Sequence, residues 1–280
     1  MAEIKLRQVA KVYNAATPIR ALDCVDLDIA EGEFVALLGP SGCGKSTLLN
    51  ILAGFEDNSE GSALIDGSTI GRPGPDRGVV FQEAALFPWL TVWENVVFGP
   101  KMQGVARADY EERARELLEI VGLQDFAKAY PSQLSGGMRQ RVGIARVLVM
   151  RPRALLMDEP FGALDAQTRL AMQELLLKVW EKLNTTVVFV THDIDEAILL
   201  ADRVCVMTDP HRARASALHR RPDHPRLHAL QGRDHGRDAQ RPQTGRDAGR
   251  MSNPRIPYRM SSERPSLPPM QGRRILVNLV

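Results

Sequence analysis

Residues 34–47 read FVALLGPSGCGKST, and this stretch decides the fold. The apolar run Phe34–Leu38 suits a short strand buried on both faces, with Glu31-Gly32-Glu33 as the turn before it. Gly39 to Ser46 then satisfy G-x-x-x-x-G-K-[ST], the phosphate-binding loop pattern. Glycines let the backbone curl until successive N–H groups converge on phosphate oxygens. The helix expected over Lys45 to Ala53 offers its positive N-terminal end to the same anion. Gly39, Pro40, Ser41, Gly42, Cys43, Gly44, Lys45, Ser46 and Thr47 are therefore candidate nucleotide-binding residues. Lys45 reaches for the β- and γ-phosphates, and the Ser46 hydroxyl is a candidate Mg²⁺ ligand. Cys43 fills an unconstrained position and has no role of its own.

Working outward, Ile4–Val12 and Val25–Ile29 read as short strands. Apolar runs recur at Gly78–Phe81, Ala154–Met157, Val187–Val190 and Val204–Met207, the last three separated by helical patterns. Strands alternating with helices imply an α/β fold with a mainly parallel sheet. Residues from about 92 to 150 show helical periodicity without a strong strand: ADYEERARELLEIVGL, a turn at Tyr130-Pro131, then GGMRQRVGIARVLVM. They read as a helical subdomain inserted into the core.

ALLMDEP, Ala154 to Pro160, puts Asp158 at the end of a buried strand, where a phosphate-bound magnesium is held. Glu159 follows, placed to orient and deprotonate a water. LSGGMRQ, Leu134 to Gln140, sets Ser135, Gly136 and Gly137 before a helix, a second anion site in the same chain. One nucleotide has no plain use for both loops of one chain. Two copies facing each other do, each nucleotide lying between the Lys45 loop of one and the Ser135 loop of the other.

In these motifs, their order and their spacing, the chain resembles the ATP-binding subunits of ABC transporters over about Ile4 to Thr208. The resemblance implies a P-loop NTPase core with antiparallel strands at its N-terminus, and ATP and Mg²⁺ as cofactors. It implies that Tyr13 stacks on adenine and that Gln82, ending GVVFQ, touches magnesium and the attacking water. It also implies that Asp165 in GALD faces the partner subunit and that His192 in VTHD contacts the γ-phosphate. Glu159, His192 and Gln82 are then the catalytic set, and Ser46, Gln82 and Asp158 the metal set. FQEAALFPWLTVWENVVFG, DEPFGALDAQTR and THDIDEAILLADRV look like the importer ATPases for nitrate, taurine and aliphatic sulfonates. That resemblance implies a homodimer bound to integral-membrane permease subunits at the cytoplasmic face of the inner membrane, served indirectly by a solute-binding protein. Phe87, Trp89 and Trp93 fall where a permease would dock, or else belong to the helical-subdomain core. Soluble ABC ATPases of DNA repair or translation are the competing class. They usually carry long coiled coils or two cassettes in one chain, and this sequence shows neither.

The bulk numbers agree with a cytosolic protein. No run nears the roughly 18 apolar residues of a membrane span, the N-terminus has no signal-like apolar core, and Cys24, Cys43 and Cys205 are too scattered for a disulfide framework. The net charge of +2 hides a split: residues 209–280 carry 15 Arg, no Lys and 6 acidic residues, a charge of +9, against −7 for residues 1–208. Periodicity ends there, and GRD recurs within Gly232–Asp247. A disordered tail is expected. A shifted reading frame that damages the subunit, an inert extension and a basic arm all fit its composition. No nucleic-acid-reading motif accompanies it.

Overall fold

The computed structural model describes residues 1–14, 16–183 and 185–208. The tail expected over 209–280 lies outside the described residues. Strands β1 (Ile4–Tyr13), β2 (Ile19–Ile29), β4 (Glu60–Ile65) and β5 (Ser68–Thr69) form an antiparallel sheet in the order β2-β1-β4-β5. Strands β3 (Phe34–Leu38), β6 (Arg77–Val80), β7 (Ala154–Asp158), β8 (Thr186–Thr191) and β9 (Arg203–Val206) form a parallel sheet in the order β6-β7-β8-β3-β9. Helix α1 (Lys45–Ala53) follows β3, and α5 (Ala166–Leu183) and α6 (Ile194–Leu200) flank β8. Between β6 and β7 lie α2 (Val92–Met102), α3 (Arg107–Ile120) and α4 (Gly136–Leu148), an inserted helical segment as expected.

The β3 residues alternate between two cores, as a two-unit strand period requires. Val35 and Leu37 pack with Ile4, Leu6, Leu48 and Val190 toward the antiparallel sheet and α1. Phe34 and Ala36 pack with Phe161, Val187 and Phe189 toward the remaining helices. The parallel sheet is thus a wall between two apolar layers, which is why its strands are apolar on both faces.

The second strand begins at Ile19, six residues before the expected Val25, and bulges break its register with β1 after Leu6, Val9 and Lys11. IRALDC alternates poorly, so the pattern in sequence was weak there. The β4–β5 hairpin was not anticipated. Its turn is Asp66-Gly67, both at positive φ (49° and 76°), the conformation favoured in two-residue hairpins.

The segment after Gln82 has no regular structure and is pinned by side chains. Fully buried Asn95 accepts from the Phe87 N–H at 2.9 Å and donates to the carbonyls of Phe87, Leu90 and Thr91 at 3.0–3.1 Å. Arg146 donates to the carbonyls of Ala84 and Ala85. Removing a buried side chain that serves several main-chain groups strands them without partners. Urea denaturation of Asn95→Ala is therefore expected to show a loss of about 2 kcal/mol.

Candidate nucleotide-hydrolysis site

Strand register assembles the site. In the parallel sheet Val80 pairs with Met157, Asp158 with Val190, and Leu38 with Thr191. The chain ends of β6, β7, β8 and β3 therefore lie along one edge. Gln82, the Asp158-Glu159 pair, His192 and the Gly39 loop leave from that edge, the carboxyl edge where open α/β sheets bind ligands.

The loop itself depends on two glycines. Gly44 caps α1 at φ 97°, and a Cβ there would stand 2.5 Å from the Ala21 carbonyl oxygen. A Cβ on Gly39 would meet the Met207 carbonyl oxygen at 2.4 Å. Met207 also donates its N–H to the Leu38 carbonyl at 2.7 Å, so the chain just past β9 seats the first residue of the loop. Lys45 is only 5% exposed, and its Nζ donates to the carbonyls of Gly39 (2.7 Å) and Pro40 (2.9 Å). Ser41, Gly42, Gly44, Lys45, Ser46, Thr47 and Glu159 line one cavity of about 260 Å³, closed on one side by Ala21.

The Ser46 hydroxyl donates to Asp158 Oδ1 at 3.2 Å across the gap between α1 and β7. Hydroxyl and carboxylate oxygens are hard donors of the kind Mg²⁺ takes. Burial pushes the Asp158 carboxyl above its ordinary range; the Ser46 hydrogen bond opposes that rise, and the adjacent Glu159 charge adds to it. A carboxyl so desolvated suits a site that expects a cation. Glu159 holds a positive φ of 42°, secured by its N–H donating to the Val190 carbonyl at 3.0 Å. Its Oε2 lies 3.0 Å from His192 Nδ1, joining the ends of β7 and β8. Gln82 is exposed, and its Nε2 would lie 3.1 Å from a Cβ on Gly162, in the loop that follows Glu159. Gln140 on α4 donates to the Phe81 carbonyl at 3.1 Å and so fixes the backbone immediately before Gln82.

Other expected residues do not line the cavity, although Tyr13 reaches its edge through a side-chain hydrogen bond with Thr47. Tyr13 is 36% exposed, donates to Glu56 Oε2 at 2.6 Å and lies beneath Lys11 Nζ, 5.2 Å from the ring centroid. Ser135 caps α4, accepting from the Met138 N–H at 3.3 Å, and Gly136 and Gly137 open that helix. Asp165 caps α5 through the Thr168 N–H at 3.0 Å. A Cβ on Gly137 would touch the Thr168 side chain at 2.4 Å, so these two loops adjoin each other. None of Tyr13, Ser135, Gly136, Gly137 or Asp165 lines the Lys45 cavity. Glu56 and Ala21 were not anticipated. Ala21 acts through its backbone, which leaves no residue-type signal, and Glu56 meets Tyr13 across 43 positions.

A family model described as ABC transporter matches residues 22–162. The chain belongs to the ABC transporter family. It is an ATPase of that family. The chain is 56% identical over 202 residues to the taurine import ATP-binding protein TauB of Rhizobium johnstonii, covering 71% of this chain and 77% of TauB. It is 47% identical over 206 residues to the aliphatic sulfonates import ATP-binding protein SsuB of Bacillus cereus, with 73% and 81% covered. A solved dimeric structure of the ATP-binding cassette MJ0796 in a post-hydrolysis state, bound to ADP and Pi, superposes with a TM-score of 0.64 at 39% identity. That match spans 74% of this chain and 94% of the solved one. Among the described residues of this ABC ATPase no helix is long and apolar enough to cross a membrane.

Because its carboxyl is held high, the folded ATPase binds a proton at Asp158 at higher pH than the unfolded chain does. Asp158 therefore costs stability at neutral pH, and the cost is relieved as the pH falls through the folded-state value. Asp158→Asn is expected to raise the melting temperature of the nucleotide-free protein at pH 7 and to abolish ATP turnover. A lower melting temperature would contradict the desolvation argument.

Proposed function

We propose that this protein is the ATP-hydrolysing subunit of an importer for small sulfonates, taurine among them. The observation that carries the chemistry is the convergence of Lys45, Ser46 and Glu159 on one cavity, with Asp158 and His192 hydrogen-bonded to its walls. The names of TauB and SsuB support the substrate class.

The residues divide the work as follows. The glycine loop and the start of α1 present N–H groups to the phosphates, and Lys45 leaves its own loop carbonyls to meet the β- and γ-phosphates. Ser46 and Asp158, with Gln82, would hold Mg²⁺, which when bound would offset the charge of the phosphate oxygens. One oxygen of Glu159 is engaged by His192, so the other is left to accept the proton of an attacking water. His192 in turn orients the γ-phosphate, and Tyr13 receives the adenine. Ser135, Gly136, Gly137 and Asp165 stand outside the Lys45 cavity because they complete the site of a second copy. ATP then favours the closed pair through contacts that the open pair lacks.

The closed pair acts on a permease at the cytoplasmic membrane face, with a solute-binding protein delivering the sulfonate. Trp89 is 70% exposed beside Phe87, at 5.6 Å between ring centroids, on the segment that leads away from Gln82. A groove of about 650 Å³ on the same helical segment is lined by Trp93, Leu118 and Ala127 among charged side chains such as Glu111, Arg115 and Lys128, and offers mixed apolar and charged surface for a permease helix.

Lys45→Ala is expected to lose ATP turnover by two orders of magnitude or more, on the order of what a missing phosphate clamp costs. Glu159→Gln should bind ATP yet stay dimeric in gel filtration only while ATP is present. Wild-type turnover in Glu159→Gln would remove it as the base. Trp89→Ala should keep the ATPase rate and the melting temperature of the isolated subunit while losing co-purification with the permease; retained co-purification would move the docking surface elsewhere.

A further inference from the structure

His192 is exposed, and apart from its contact with Glu159 it is placed by the residues on either side of it. Thr191, before it, is 2% exposed and donates its hydroxyl to Glu196 Oε2 at 2.7 Å. Glu196, 5% exposed on α6, also accepts from Gln173 Nε2 at 3.1 Å. Asp193, after His192, caps α6 and accepts from Arg169 Nη1 at 3.4 Å. The same guanidinium donates through Nη2 to the Leu164 carbonyl at 3.2 Å, next to Asp165. Its Nε is buried without a hydrogen-bond partner, 3.9 Å from Glu196 Oε1.

A single side chain on α5 thus spans the loop carrying Asp165 and the loop carrying His192. We infer that Arg169 is a positioning residue that couples the Leu164–Asp165 turn to His192. The inference rests on the proposed hydrolytic cycle at the Glu159–His192 pair and on Asp165 facing a second copy. The guanidinium is suited to this because its planar fork serves two acceptors at once, which a lysine ammonium on a flexible stem does not reproduce. The unpaired Nε is a donor in reserve: a small movement toward α6 closes it on Glu196 and shifts Asp193, and His192 with it. Contact at Asp165 by a partner is thereby felt at the γ-phosphate end of the site. The Glu196 carboxylate is held by hydrogen bonds from Gln173 and Thr191, while the contacts of Arg169 to it and to Asp193 are long, so the arginine is the adjustable member of the cluster.

The test uses the full chain and the variants Arg169→Ala and Arg169→Lys. Steady-state ATP turnover is measured against ATP concentration, with thermal melting alongside. The His192 imidazole is followed by NMR in ¹³C-histidine-labelled protein, its resonance assigned by its loss in His192→Ala. Alanine is a good helix former in the first turn of α5, so folding should survive. The expected result is a kcat about tenfold lower for Arg169→Ala, an intermediate value for Arg169→Lys, a KM within about twofold of wild type, and a broadened His192 resonance, as misplacement of a reacting group would give. Wild-type kcat in Arg169→Ala overturns the inference, as does a fall in kcat with the His192 resonance unchanged. Should Arg169→Ala not fold, Arg169→Lys decides: wild-type turnover in it overturns the inference, and reduced turnover at normal melting supports it. A wild-type protein that does not hydrolyse ATP sinks the hydrolytic reading and the inference together, whereas wild-type turnover that Arg169→Ala leaves unchanged sinks the inference alone.

Discussion

The site depends first on the register of the parallel sheet. Leu38 beside Thr191, Asp158 beside Val190 and Val80 beside Met157 set the heights at which four loops leave the sheet. A slip of one residue in β7 would move its end by about 3.3 Å and turn every side chain to the opposite face. Asp158 would then lose Ser46, and Glu159 would lose His192. The two apolar layers oppose such a slip, because Leu155 and Met157 of β7 pack in one of them and Ala154 and Leu156 in the other. Core packing and catalytic geometry are here the same constraint seen from the two ends of the strands.

Around this frame the site holds groups in states that folding alone would not choose. Lys45 is buried, Asp158 is desolvated, and Glu159 sits at a positive φ that costs a non-glycine residue roughly 1–3 kcal/mol. Each has a local compensation: loop carbonyls for Lys45, the Ser46 hydroxyl for Asp158, the Val190 carbonyl for the Glu159 backbone. A phosphate and its cation would answer the first two directly.

Legibility in the sequence followed from how local the physics is. The Lys45 loop was readable because its chemistry lies in consecutive backbone groups, which only certain residues permit. Asp158 and Glu159 were readable from an apolar strand ending in two carboxylates, whereas His192 was singled out through the family resemblance of VTHD, at the end of another apolar strand. The β4–β5 hairpin was overlooked although Asp66-Gly67 is a hairpin signal, because EGSALI lacks a strong strand pattern. The ties of Arg169 to Asp193 and of Tyr13 to Glu56 were not readable, since they join residues 24 and 43 positions apart through surface-type side chains. Phe87, Trp89 and Trp93 could be placed in sequence but not sorted; in the structure Trp89 points outward while Phe87 and Trp93 are half-buried.

Met207 gives the change of composition after residue 208 a meaning that charge counting alone does not. Its N–H holds Leu38 and its carbonyl closes over Gly39, so the phosphate loop is braced by backbone atoms two residues upstream of Asp209. Backbone support makes few demands on side-chain identity. The boundary at residue 209 therefore falls two residues beyond this main-chain brace, the last of the loop among the described residues. A chain shortened by even two residues upstream of that boundary loses this support of the loop.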